Sequence, residues 1–269
     1  MADAPTLPSF EHRPLNPAPL TGLMTRCSDR YELHWIAGQH GLPALNAVIA
    51  TDENSNAAAH LARNLADREF EVLGVNMTTA LVTRYVEGGL TFTTAGADGD
   101  EAILLPHLDT KQSGWAQTTW GTDRQVEWEC YLQSGATITS AITWAGLKLT
   151  NTEVLATDAD QVFFRYEDDV SSGALIAVYS IGGVDTSVNT GITWAVSTKY
   201  RLRIAIDSSR IARFYVGIAG GSMTLVATST ALTDAIDLIP YIGVAADGAA
   251  PAKAITVFEQ SISRQKGVS

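Results

Sequence analysis

Lys199-Tyr200-Arg201-Leu202-Arg203-Ile204-Ala205-Ile206-Asp207-Ser208-Ser209-Arg210-Ile211-Ala212-Arg213-Phe214-Tyr215-Val216-Gly217 reads as two strands joined by a tight turn. Tyr200, Leu202, Ile204 and Ile206 alternate with Arg201, Arg203 and Asp207, and a period of two puts the two sets on opposite faces. One apolar face and one charged face define an antiparallel strand packed on a core from one side only. Ser208-Ser209 makes the link, and Ala212, Phe214 and Val216 alternate inward on the return strand.

The same texture extends in both directions. From Phe70 onward, short runs rich in Val, Ile, Thr, Tyr and Phe are broken by Gly, Asp, Asn and Ser. The pattern predicts strands over 79–86, 90–94, 102–105, 125–133, 137–144, Gln161–Glu167 and Ala174–Ile181, then over 199–207, 210–216, 223–228, 241–245 and 254–263. In Ala174–Ile181 both alternating sets are apolar, so this strand is expected to be central. Many short strands without interleaved helices exclude a parallel α/β sheet and indicate a sandwich or barrel. No short internal repeat favours a propeller or β-helix.

Upstream of residue 70 the chain changes character. Five of its nine prolines (Pro5, Pro8, Pro14, Pro17, Pro19) fall within the first nineteen residues. Proline fixes φ and lacks the amide donor, so this stretch is expected to be an extended arm or a disordered tail. Tyr31-Glu32-Leu33-His34-Trp35-Ile36 alternates briefly and predicts an isolated strand able to pair with a neighbour. A short helix is expected over 56–68, with Asp52, Asn54, Ser55 and Asn56 as caps and Ala58, Leu61 and Leu65 as a narrow apolar stripe that needs something to dock on. The expected division is therefore an arm over 1–69 and a β-sandwich over 70–269.

Composition narrows the function. With 46% apolar residues the chain can bury a sizeable core, while only 17% are charged. The net charge of −11, with no basic run to offset it, excludes a role built on neutralising nucleic-acid phosphates. No apolar stretch is long enough to span a bilayer, and residues 1–19 lack a signal-peptide pattern, so synthesis in a reducing cytoplasm without export is expected. Cys27 and Cys130 form neither a disulfide framework nor a zinc pattern. Cys130 shares a face with Val126, Trp128 and Leu132 and reads as a small buried hydrophobe.

Chemical motifs are scarce. There is no Gly-x-Ser-x-Gly, phosphate loop, zincin helix or dinucleotide fingerprint, and no cofactor or metal is expected. All five histidines precede residue 108, which argues against a histidine site on the sandwich. Glu127 and Glu129 share one strand face, about 6.5–7 Å apart. Glycoside hydrolysis needs two carboxyls about 5–5.5 Å apart for retention, so the spacing is tolerable. Their alternative role is the solvated face of an amphipathic strand, and no enzyme is expected. Trp115, Trp120, Trp194 and Tyr131 offer a sugar-stacking platform, or else roof the core or fill a subunit interface, the commoner place for large aromatics. Asp98-Gly99-Asp100-Glu101 and Glu167-Asp168-Asp169 are acidic turns without calcium-loop spacing.

The hairpin 199–217 resembles that of concanavalin- and laminin-G-like jelly rolls. Phe70-Glu71-Val72-Leu73-Gly74, Ala95-Gly96-Ala97-Asp98-Gly99-Asp100, Ile103-Leu104-Leu105-Pro106-His107-Leu108-Asp109, Thr118-Thr119-Trp120-Gly121-Thr122-Asp123 and Trp144-Ala145-Gly146-Leu147-Lys148-Leu149-Thr150 resemble structural proteins of tailed bacteriophages. The resemblance implies an all-β, antiparallel, concanavalin-like jelly-roll sandwich behind an extended N-terminal arm. It further implies a virion protein that decorates or cements the capsid surface, made in the bacterial host cytoplasm and often homotrimeric. Tyr31, Leu33 and Trp35 would then be arm contacts to the major capsid protein, and Trp115 and Trp120 an interface or a platform for host surface glycans. The alternative is a glycan-binding, or less readily glycan-hydrolysing, jelly-roll module of a tail or surface protein.

Overall fold

A computed structural model describes residues 25–26, 30–37, 44–45, 70–106, 115, 118–149, 158–248 and 251–266. Its strands, in chain order, are β1 (Thr25–Arg26), β2 (Arg30–Ile36), β3 (Ala44–Leu45), β4 (Phe70–Leu73), β5 (Val82–Arg84), β6 (Leu90–Thr93), β7 (Glu101–Pro106), β8 (Glu127–Ser134) and β9 (Ala141–Lys148). They continue with β10 (Gln161–Glu167), β11 (Ala174–Ile181), β12 (Val184–Thr193), β13 (Lys199–Ile206), β14 (Ile211–Ile218), β15 (Thr224–Ala231), β16 (Ile239–Ala246) and β17 (Ala254–Gln265). The helix expected over 56–68 lies outside the described residues, as do residues 1–24.

Two sheets form the sandwich. The first runs β1-β2-β17-β8-β13-β14-β15, with β6 also pairing with β17 and β5 with β6. The second runs β12-β11-β10-β9-β16-β7-β4-β3. Described pairings are antiparallel except the short β3–β4 contact. Between the sheets lies one continuous core. Trp128, Leu132, Tyr200, Leu202 and Phe214 enter it from the first sheet, and Leu147, Phe164, Leu175 and Ile242 from the second. The opening hairpin behaves as its alternation dictates: Tyr200, Leu202, Ile204 and Ile206 are all buried and their neighbours half-exposed. Its turn is held by Asp207, which accepts from the Ser209 amide at 2.8 Å and the Ile211 amide at 3.0 Å and pairs with Arg213 at 2.7 Å.

The far face of the second sheet carries a separate apolar cluster that includes Ile103, Trp144, Phe163, Ile176, Val178 and Tyr241. This explains why β11 is apolar on both sides: Leu175 and Ala177 enter the main core, Ile176 and Val178 this second one. β11 is next to the edge rather than central, because β12 flanks it. β12 was not expected; it is exposed along most of its length, and its alternating set is only partly buried, at Val188, Thr190 and Ile192. The strand expected over 137–144 starts at Ala141 instead, after a turn in which Ser140 takes φ +50° and donates its amide to Asp168 at 2.7 Å. The strand expected over 79–86 shrinks to β5, preceded by a 3-10 turn at Thr79–Leu81.

The largest correction concerns the division at residue 70. β2 pairs antiparallel with β17 from Arg30–Gln265 to Ile36–Glu259 and is an integral strand of the first sheet. Leu33 and Trp35 are 0% and 5% exposed in the common core, and Trp35 meets Phe70 at 4.8 Å between ring centroids. The alternation in 31–36 is answered inside this chain, not by a neighbour. Leu33 and Trp35 are therefore core residues and not surface contacts, while Tyr31 stays half-buried beneath Arg264 and Lys266.

Candidate functional site: the outer face of the first sheet

Two strongly apolar residues in succession interrupt the alternation of β17. Ile255 and Val257 point inward, then Gln260 and Ile262 do, so the inward set changes parity between 257 and 260. The structure answers with a bulge: Val257 stands opposite Leu132, Glu259 opposite Tyr131, and Phe258 is the extra residue. Its ring lies 5.0 Å from that of Tyr131 and 5.9 Å from that of Tyr85, with Lys199 Nζ 5.0 Å from its centroid. Gly89 makes room for this. It has φ +91°, and a Cβ there would stand 2.7 Å from the Val257 carbonyl oxygen and 3.0 Å from the Phe258 ring. The result is a half-exposed aromatic patch on the outer face, rimmed by Lys199 and Glu87, whose side chains meet at 2.6 Å. That hydrogen bond raises the Lys199 pKa.

Beyond the patch, strand register lays out polar rows. One row runs Glu259–Tyr131–Arg201 across β17, β8 and β13, and the next runs His34–Ser261–Glu129–Arg203–Tyr215 from β2 to β14. A third brings Glu32, Ser263 and Glu127 side by side. The charges are paired. Arg201 bonds Glu129, Arg203 meets Glu127 at 2.9 Å and lies 5.3 Å from the Tyr215 centroid, and His34 is 3.4 Å from Glu259. Arg30 donates to Ser263 Oγ at 3.0 Å and to the Gln125 carbonyl at 2.8 Å. These groups are half-buried, so part of each side chain remains accessible on the sheet face.

Of the residues singled out in the sequence, Tyr131, Glu127 and Glu129 come together here. Trp115 and Trp120 do not. Both are 0% exposed, Trp120 Nε1 donates to the Trp115 carbonyl at 2.8 Å, and Trp115 packs on Phe70 at 4.9 Å. Trp194 is stacked on Tyr200 at 4.2 Å inside the core. These tryptophans roof the sandwich, one of the roles open to them in the sequence, and the half-exposed rings of the outer-face patch are those of Tyr85, Tyr131 and Phe258. His34, placed in the arm by the sequence reading, is carried onto the sandwich by β2. Cys130 is buried, and that burial pushes its thiol pKa well up.

The acidic turns differ from one another. Asp100 is buried and accepts from Asn76 Nδ2 at 2.7 Å and from the Ala97 amide at 2.6 Å, bonds that lower its pKa. The carboxylates of Glu167, Asp169 and Asp247 lie within 4.8 Å of one another, with Glu167 also paired to Arg165.

No family model matches the sequence, and no curated protein matches it. Solved structures do resemble it in shape. A protein of unknown function from Shewanella oneidensis MR-1 superposes with a TM-score of 0.58 at 10% identity, covering 99% of this chain and 98% of that one. Peanut lectin superposes with a TM-score of 0.53 at 8% identity, covering 87% of this chain and 97% of the lectin. The fold is a lectin-like jelly roll. A β-1,3-glucanase from Mycobacterium marinum overlaps more loosely, with a TM-score of 0.47 over 72% of this chain. At such identities these likenesses concern the jelly roll alone.

Proposed function

We propose that the protein is a glycan-binding jelly-roll module that holds sugar on the outer face of its first sheet and does not cleave it. The observation that carries this reading is the bulge at Phe258, which turns an apolar ring outward beside Tyr131 and Tyr85, next to rows of carboxylate, guanidinium and hydroxyl groups. A sugar has an apolar C–H face and a hydroxyl rim. The rings suit the first and the paired charges the second. The likeness to peanut lectin supports the reading at the level of fold.

Binding without cleavage is favoured by the state of the two strand carboxylates. Glu129 and Glu127 are each engaged by an arginine of the neighbouring strand, whereas hydrolysis needs one carboxyl at liberty to give a proton to the leaving group. Capsid decoration, the narrower role implied by sequence resemblance, needs Leu33 and Trp35 to meet another subunit. Their burial in this chain's own core removes those contacts from that role.

Glycan-array screening followed by calorimetry on the full chain tests the proposal. Wild type is expected to bind at least one oligosaccharide, and Phe258→Ala or Tyr131→Ala to weaken it tenfold or more, with no reducing ends released on long incubation. Absence of binding across the array would sink the binding reading; steady release of reducing sugar would sink the non-catalytic one.

A further inference from the structure

We infer that this face selects uncharged glycans over uronic-acid or sulfated ones. The inference rests on the glycan-binding reading above and deepens it.

An acidic sugar needs a cation whose charge is not already spent. Among the described residues of this face, each basic side chain is already engaged. Arg201 is bonded to Glu129, Arg203 to Glu127, Arg213 to Asp207, Lys199 to Glu87 and His34 to Glu259, while Arg30 is turned onto Ser263 and the Gln125 carbonyl. Except at Arg30, whose partners are neutral, an incoming carboxylate or sulfate must either displace one of these carboxylates or sit beside it. Two like charges a few ångströms apart repel, and the displaced glutamate stays anchored one strand away. The field of the whole molecule acts in the same direction, since a net charge of −11 slows the approach of any polyanion.

For a neutral sugar the same pairs are an asset. A carboxylate beside a guanidinium offers acceptors and donors side by side, the pattern that neighbouring hydroxyls of a sugar ring require, because each hydroxyl both gives and takes a hydrogen bond. Tyr131, next to Glu259 on one side and Arg201 on the other, places a ring between such groups. Selection thus comes from pairing: the same residues with their carboxylates removed would favour the opposite ligand class.

The experiment compares matched sets of neutral and acidic oligosaccharides on the full chain at low and moderate salt, for wild type, Glu129→Gln and Glu127→Gln. Wild type is expected to bind only neutral members, with affinity changing less than twofold between the two salt concentrations. Glu129→Gln, which releases Arg201 from its charge partner without changing shape, is expected to gain at least tenfold for acidic members in a salt-sensitive way; Glu127→Gln provides the same readout at Arg203. Preferential wild-type binding of acidic glycans overturns this inference and leaves the glycan reading standing. Binding of neither set removes both.

Discussion

Phe258 shows how much one residue changes. Strict alternation from Ile255 and Val257 sends its ring outward, and the bulge lets Glu259 face outward after it, so that the ring joining Tyr85 to Tyr131 and the polar rows share one face. Because Phe258 is half-exposed, its truncation should cost binding far more than stability. Buried phenols report the opposite balance. Tyr166 is buried against the core and donates to the Ile138 carbonyl at 3.1 Å. Burial, with the nearby Asp168 charge, pushes its pKa up to about 12 from the usual 10.0. A group whose pKa is raised by folding contributes stability that is whole below the unfolded value and is lost as pH climbs toward the folded one. Denaturant midpoints should therefore hold up to pH 10 and fall between pH 10 and 12, and Tyr166→Phe should make that fall shallower. Superimposable curves for the two proteins would contradict the assignment. Cys130 offers a second check: in a Cys27→Ser background its thiol should stay inert to an aromatic disulfide reagent until the chain is unfolded.

Among the strands, legibility followed burial. Gln161–Glu167 and Ala174–Ile181 were readable to the residue because at least one of their faces is densely apolar, whereas in β12 the inward set Val184, Thr186, Val188, Thr190 and Ile192 is diluted by threonine and only partly buried, which leaves a weak signal. The bulge had a trace that plain alternation overlooks, the change of parity between Val257 and Gln260. The outward direction of Tyr131, Glu127 and Glu129 was likewise readable from β8 alone. Which strands stand beside β8 was not, because its neighbours β13 and β17 come from remote parts of the chain. The sequence left Trp115 and Trp120 open between a sugar platform, an interface and a roof over the core, of which the structure takes the last; both sit outside any strand, where polar neighbours say little about depth. Close strand approach also leaves a mark at Gly146. A Cβ there would stand 2.5 Å from both the Phe163 Cα and the Val162 carbonyl oxygen. Gly146→Ala is expected to separate β9 from β10 and cost about 2–4 kcal/mol, read from chemical denaturation. A change below about 0.5 kcal/mol would show that the two strands yield more easily than the structure implies.

For the molecule as a whole, the decisive point is that β2 belongs to the sandwich. Removing residues 1–37 takes Leu33 and Trp35 out of the core and strips β17 of its neighbour from Glu259 to Gln265. Losing the tryptophan alone is worth about 3–5 kcal/mol, and an uncovered strand edge invites aggregation. The truncated chain should be largely insoluble or melt more than 10 °C lower by calorimetry. A soluble 38–269 chain melting with the full-length protein would refute the integral role of β2.

The placement of β17 governs how the molecule comes together. It is the last strand described, yet it lies between β8 on one side and β2 and β6 on the other, and Arg30 meets Ser263 across a sequence separation of 233. During synthesis, the first sheet therefore stays split down its middle until residues beyond 254 have emerged, with the open side of β8 unpaired throughout. Contacts so distant along the chain make for slow closure, on the order of milliseconds to seconds or longer. In the cell, that waiting period is when a holding chaperone would matter most.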